Sequence, residues 1–107
     1  FLDMVKELQQ NSDDTQIVTL FLQLIEHTRM HFAEEEETMK KIAHANLFEH
    51  TKEHEKALQQ MSYFLEKANE GKLFFTKAYI RDGLYDWFRK HVLNMDSDLA
   101  RDIKIHL

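Results

Sequence analysis

Apolar residues recur at intervals of three and four in four stretches of the chain, and none of these stretches keeps the strict alternation of a β-strand. This spacing puts apolar side chains on one face of a helix, called here its inner stripe. The predicted helices are A (about Phe1 to Gln10), B (about Asp14 to Ile42), C (about Leu47 to Ala68) and D (about Thr76 to Ile105). Their short connections favour antiparallel neighbours. We therefore predict an all-α fold, an antiparallel up-down four-helix bundle, in a single domain of residues 1–107.

Polar residues and one glycine mark the predicted helix ends. The turn at residues 11–14 (Asn-Ser-Asp-Asp) can cap helix B, and Asn46 with Glu49 has the pattern of a capping box for helix C. Gly71 is expected to end helix C, and Thr76 to cap helix D. Helix A has no capping residue at its start, so we expect its N-terminal part to be missing from the chain.

Composition and charge exclude several kinds of site and of partner. The chain has 107 residues, no proline, no cysteine and a formal net charge of −5. The lack of cysteine excludes disulfides, zinc–thiolate sites and iron–sulfur clusters, and it suits a cytoplasmic protein. The negative charge argues against nucleic acid as a partner. Neither a signal peptide nor an apolar run long enough for membrane insertion is recognisable.

Six polar residues replace apolar ones in the inner stripes. They are His31 and Glu35 in helix B, His50 and His54 in helix C, and His91 and Asp96 in helix D. A buried carboxylate or imidazole without partners costs several kcal/mol. A metal centre offsets that cost, because cations neutralise carboxylates and neutral imidazoles donate lone pairs. Ligands of this kind suit iron, manganese or zinc, and six of them fit two bridged metals better than one.

The spacing within helix D leaves one ligand open. Residues four apart lie on the same helix face, but five residues turn an α-helix through about 500°, so Asp96 would point about 140° away from His91. Asp98 would align better with His91. The apolar residues around Asp96 favour an inward orientation for it, and periodicity alone does not decide between the two aspartates.

Three segments resemble the motifs of hemerythrins, and bacterial hemerythrin-like domains most of all. HFAEEEETM at residues 31–39 resembles H-F-x-x-E-E-x-x-M, HTKEH at 50–54 resembles H-x-x-E-H, and WFRKHVLNMD at 87–96 resembles W-x-x-x-H-x-x-x-x-D. The order of the motifs and the gaps between them also match, over nearly the whole chain.

The resemblance implies a non-haem di-iron centre with the following roles. His50, His54 and His91 would hold one iron, His31 the second, and Glu35 and Asp96 would bridge the two together with an oxo or hydroxo group. O2 would bind end-on at the open position of the less saturated iron, beside Trp87 and Phe88. Hemerythrins have one more histidine on helix A, which would precede Phe1, so the second iron is expected to be weakly held, replaced by another metal, or absent. His27 is the nearby candidate for a substitute ligand.

We expect a non-enzymatic protein that binds O2 or another small diatomic for carriage, storage or sensing. A histidine-rich site in an apolar pocket without an evident proton donor favours binding over turnover. One alternative is a di-iron oxidase, peroxidase or nitric-oxide-handling enzyme. Another is an apo or partly metallated helical module that forms a homodimer. Outside the site, the sequence predicts that His27 is structural or in contact with solvent rather than a ligand, and that His44 and His106 are surface or terminal residues. Of residues 34–37, only Glu35 is expected to face inward.

Overall fold

The computed structural model describes residues 2–10 and 13–106, and every element in this part of the chain is helical. The elements are α1 (Leu2–Gln10), α2 (Asp14–Lys41), α3 (Leu47–Asn69), α4 (Leu73–Ala78), π1 (Tyr79–Leu84), α5 (Tyr85–His91), π2 (Val92–Asp96) and α6 (Ser97–His106). The last five follow one another without a break, so residues 73–106 form one continuous helical run. This run corresponds to predicted helix D, and the predicted all-α four-helix fold is confirmed. Predicted features at Phe1, Asn11 and Ser12 lie outside the described residues.

The apolar core lies toward one end of the bundle. Its buried members come from α1, α2, α3 and the fourth run: Val5, Leu8, Ile17, Phe21, Leu24, Ile25, Met61, Tyr79, Ile80 and Leu84. Phe64 of α3 stacks on Tyr79 with ring centroids 4.3 Å apart. Because α1 has nine residues and α2 has 28, α1 can cover only a part of α2. Its core residues belong to this cluster, so α2, α3 and the fourth run build the other half of the bundle.

Two helices end in the same backbone motif. Beyond α3, the Lys72 amide donates to the Lys67 carbonyl, and Gly71 has φ +85°, as the sequence predicted for the end of helix C. Beyond α2, the His44 amide donates to the Met39 carbonyl in the same way, but the left-handed residue is Ala43, with φ +51°. A left-handed alanine is strained, because its Cβ crowds the following carbonyl oxygen.

Of the three predicted N-caps, one is confirmed. Asp13 caps α2 through Oδ1, which accepts from two backbone amides of the first turn. Asn46 precedes α3 but makes no capping bond; its amide donates instead to Asp98 of α6. Thr76 is buried within α4, and its hydroxyl donates to the Phe64 carbonyl at 2.6 Å. Those two predictions were wrong because each side chain has a partner on another helix, which local sequence does not reveal.

None of the described helices combines the length and apolar character needed to span a membrane.

Candidate metal centre

Three buried imidazoles meet in the half of the bundle that α2, α3 and the fourth run build without α1. His50 and His54 lie one turn apart on α3, and His91 is the last residue of α5; each is at most 2% exposed. The Nε2 atom of His91 lies 3.2 Å from Nε2 of His50 and 3.3 Å from Nε2 of His54. Three imidazoles cannot satisfy one another at such a junction, since each neutral ring aims a lone pair or a single proton at its neighbours.

Two carboxylates lie beside the three Nε2 atoms, at the place called here the junction. Glu35 Oε1 lies 3.8 Å from Nε2 of His50 and 3.6 Å from Nε2 of His54. Asp96 Oδ1 lies 3.3 Å from Nε2 of His50 and 3.1 Å from Nε2 of His91. Both oxygens are buried, and neither makes a hydrogen bond within the described part of the chain. Five of the six predicted ligands are therefore brought together, and they come from α2, α3 and the fourth run.

A change in helix geometry places Asp96 at this junction. Residues Val92–Asp96 form the π-helical segment π2, in which hydrogen bonds join residues five apart instead of four. The Val92 carbonyl accepts from the backbone amide of Ser97 and from its hydroxyl at 3.0 Å. A turn of π2 therefore holds more residues than an α-helical turn, and Asp96, five residues after His91, comes to lie on the same face. The α-helical estimate of a 140° offset does not apply here.

Asp98, the alternative to Asp96, belongs to a separate cluster. His44 is buried, with its Nδ1 2.6 Å from Asp102 Oδ2 and its Nε2 3.5 Å from Asp98 Oδ2. The prediction that His44 lies at the surface was wrong: its position in a loop gave no periodicity, and its partners are more than 50 residues away. His106 is exposed, as predicted.

Aromatic rings hold two of the imidazoles in place. Phe32 of α2 stacks on His54 with centroids 3.7 Å apart and planes 3° from parallel. Trp87 of α5 stacks on His91 at 4.7 Å and 13°. Trp87 therefore borders the junction, while Phe88 lines a depression on the outer face of the fourth run, together with Tyr85 and Val92.

His31 does not share the burial of the other five residues. Its side chain is 55% exposed, and its Nε2 lies 3.9 Å from Glu35 Oε2. The buried row of α2 runs through Thr28, Phe32 and Met39, so His31 sits about 100° away from Phe32, at the edge of the interface. The neighbouring ring of His27 is also exposed and lies parallel to that of His31, with centroids 6.4 Å apart.

Two further glutamates, for which the sequence pattern predicts no role, contact the imidazoles from outside the junction. Glu53 Oε1 accepts from Nδ1 of His91 at 2.7 Å, and Glu36 Oε2 faces Nδ1 of His54 at 3.3 Å. Glu36 is half-buried, whereas the sequence predicted it to be exposed. The HTKEH segment contains Glu53, but nothing in its spacing indicates a partner on another helix.

The donor set fits a metal cation. Bonds of about 2.1 Å to nitrogen and oxygen keep neighbouring ligand atoms roughly 3 Å apart, close to the 3.1–3.8 Å separations found here. Glu35, His50, His54 and His91 each offer a ligand atom within 4.8 Å of all the others. A cation would also satisfy the two buried carboxylate oxygens that lack hydrogen bonds.

The electrostatics of the protein without a cation point the same way. Burial disfavours the charged form of Asp96, but the adjacent imidazoles of His50 and His91 outweigh it and hold the pKa of Asp96 well below its ordinary value. Burial likewise opposes charge on His91, but Asp96 and Glu53 prevail and raise the pKa of His91. The junction thus attracts positive charge, which a proton on His91 or a metal ion can supply.

Comparison with known proteins gives one match. The model of the family described as Hemerythrin HHE cation binding domain matches residues 1–103. No curated protein and no solved structure matches the chain.

Proposed function

Since the chain belongs to the hemerythrin HHE cation-binding domain family, we propose that it is a non-haem di-iron protein that binds O2 or another small diatomic. Its role would be carriage, storage or sensing. One observation carries this proposal. Three imidazoles and two carboxylates converge at one buried point, and the buried oxygen of each carboxylate has no hydrogen bond among the described residues.

An inner metal position has a full set of protein donors. His50, His54 and His91 would supply three neutral nitrogens, and one oxygen each of Glu35 and Asp96 would offset the charge of the cation. Imidazole and carboxylate ligands without thiolate are those that non-haem iron uses. This donor set supports iron over a thiolate-bound metal.

An outer position would share the same carboxylates but have fewer donors of its own. Glu35 turns Oε1 toward the inner imidazoles and Oε2 toward His31. Among the described residues, His31 is the imidazole within 4 Å of Oε2, and it is largely exposed to solvent. We therefore expect the outer ion to bind more weakly than the inner one and to keep open coordination positions.

The walls of the junction favour binding over turnover. Phe32 and Trp87 cover two imidazoles with apolar rings, and Glu36 and Glu53 are engaged by imidazole nitrogens. Bound iron would supply the electrons and the open position for a diatomic ligand. The residues around it would hold the ligand atoms, limit water and offer no ready proton donor, which suits reversible binding.

Exposure of the reduced, iron-loaded protein to O2 tests this function. We expect a visible absorption band that appears on mixing and disappears reversibly under vacuum, with His106→Ala unchanged as a matched control for an exposed histidine. His50→Ala, which removes an inner ligand, should abolish the band. Failure of the wild type to bind iron, or to give any reversible oxygen-dependent change, would overturn the proposal.

The exposure of His31 also favours a second candidate, a di-iron oxidase, peroxidase or nitric-oxide-handling enzyme. An outer ion open to solvent admits co-substrates and water. Rapid irreversible oxidation that consumes an added reductant over many cycles would support the enzyme and exclude a carrier. Light scattering with and without iron tests the remaining possibility of a dimerising module.

A further inference from the structure

The three inner imidazoles differ in what lies against their outer nitrogens. Nδ1 of His91 is 2.7 Å from a carboxylate oxygen of Glu53. Nδ1 of His54 is 3.3 Å from a carboxylate oxygen of Glu36. Nδ1 of His50 is buried and has no hydrogen-bond partner among the described residues. The outer contacts therefore form a graded series: short, long and none.

This series has a chemical consequence for the inner nitrogens. A hydrogen bond of 2.7 Å to an anionic oxygen is of the charge-assisted kind, which is roughly twice as strong as a neutral one. It fixes the proton of His91 on Nδ1 and leaves the Nε2 lone pair directed at the junction. It also shifts electron density toward Nε2 and makes that nitrogen a better donor. The contact of His54, at 3.3 Å, lies beyond the usual range for N–H···O bonds, so its effect is smaller.

We propose that Glu53 is a positioning residue that polarises His91 and thereby sets the affinity and the reduction potential of the metal centre. His91 is then the strongest imidazole donor, His54 intermediate and His50 the weakest. This inference rests on the proposed function, because it presupposes a metal at the junction. It assigns a role to a residue that is not itself a ligand.

The position of Glu53 makes its contribution separable from folding. Glu53 lies on α3 and its side chain is 30% exposed, so a glutamine there can be solvated without opening the core. Glutamine keeps an oxygen that can accept from Nδ1 but removes the charge. Alanine removes both the acceptor and the charge.

Glu55 provides the matched control. It lies two residues away on α3, pairs with Lys52 at 3.5 Å, and its side chain is 54% exposed. Glu55→Gln removes the same charge from the same helix without touching an imidazole. Glu36→Gln tests the intermediate step of the series.

Metal titration distinguishes the outcomes. Metal-free protein is titrated with Co²⁺ against a competing chelator, and binding is followed by the visible bands of cobalt and by fluorescence of the single tryptophan, Trp87, which stacks on His91. We expect Co²⁺ affinity to fall about tenfold for Glu53→Gln and up to about 100-fold for Glu53→Ala. Glu36→Gln should lose less than Glu53→Gln, and Glu55→Gln should match the wild type.

Two further readouts separate polarisation from a purely structural role. In the iron-loaded protein, Glu53→Gln should raise the reduction potential, because a weaker donor favours the ferrous state, and its cobalt bands should shift. Circular dichroism of the metal-free Glu53→Gln variant should show the same helix content as Glu55→Gln, and its urea unfolding should remain cooperative. Equal Co²⁺ affinity and equal potential in Glu53→Gln and the wild type would overturn this inference alone. If the wild type bound neither cobalt nor iron, the proposed function itself would be refuted, whatever the role of Glu53.

Discussion

Deletion of Asn94 tests whether π2 is what places Asp96 in the metal centre. Asn94 is an exposed residue in the middle of π2, between the proposed ligands His91 and Asp96. Its removal leaves four residues from one ligand to the other and takes away the extra residue that the π-helical turn accommodates. The segment can then continue as an ordinary α-helix.

The expected geometry follows from helix rotation. In an α-helix, a spacing of five residues would leave Asp96 about 140° away from His91, whereas a spacing of four leaves it only about 40° away. The deletion therefore keeps the aspartate on the face it occupies now, where Oδ1 is 3.1 Å from Nε2 of His91. Leu99, buried one turn further on, also keeps its orientation.

An inserted alanine between Asn94 and Met95 makes the opposite change. Six residues would then separate the ligands, which is about 600° of α-helix and leaves the aspartate about 120° from the face. Loss of a ligand should cost more than the 10- to 100-fold typical of a residue that merely supports one. We expect Co²⁺ affinity within about tenfold of wild type for the deletion and a loss beyond about 100-fold for the insertion.

The assay combines Co²⁺ titration, read by Trp87 fluorescence, with circular dichroism to show that both variants remain helical. Loss of binding in a deletion variant of unchanged helix content would refute the reasoning, because Asp96 would then need the π-helical geometry itself and not only the shared face. Retained binding in the insertion variant would refute it equally, since the aspartate would not be a ligand.

Three further predictions concern stability. Ala43→Gly should raise the free energy of unfolding in urea by about 0.5–1 kcal/mol, since relief of left-handed strain exceeds the added freedom of the unfolded chain; an unchanged value would contradict the strain at φ +51°. His44→Ala should lower it by about 2 kcal/mol or more, because Asp102 loses its 2.6 Å partner, with His27→Ala as the exposed control. Metal-free protein should lose stability as pH rises above about 6.5, through the raised pKa of His91. It should also lose stability as pH falls below about 4, where this aspartate takes up a proton in the unfolded chain but folded Asp96, with its lowered pKa, stays charged. Urea unfolding at pH 5.5 and 8, with and without metal, checks this: metal should abolish the loss at pH 8, and a pH-independent stability without metal would contradict it.

The fold was largely predictable because its determinants are local. Each helix has its own apolar periodicity, and the breaks at Asp13 and Gly71 use side-chain and backbone preferences that act within a few residues. Proline is absent, so nothing interrupts the run of residues 73–106. The predictions that failed, at Asn46 and Thr76, concern side chains with partners on another helix.

The sequence predicted five of the side chains that meet in this cluster, but not the geometry that brings them together. Paired histidines on α3 follow directly from the α-helical repeat. Asp96 does not, because the decision between α- and π-helical turns depends on tertiary contacts that periodicity ignores. His31 was expected to be buried because it lies four residues before Glu35, yet the interface of α2 is centred on Phe32, and His31 falls at its edge.

The stacked rings of Phe32 and Trp87 have a consequence for how the ion would come and go. Each lies nearly parallel to an imidazole and restricts rotation of that ring. Two of the nitrogens are therefore already aimed before any ion arrives, and little side-chain entropy remains to be lost on capture. On the proposed function, a metal ion would therefore bind to a preformed site, and its binding or release would not require the helices to refold.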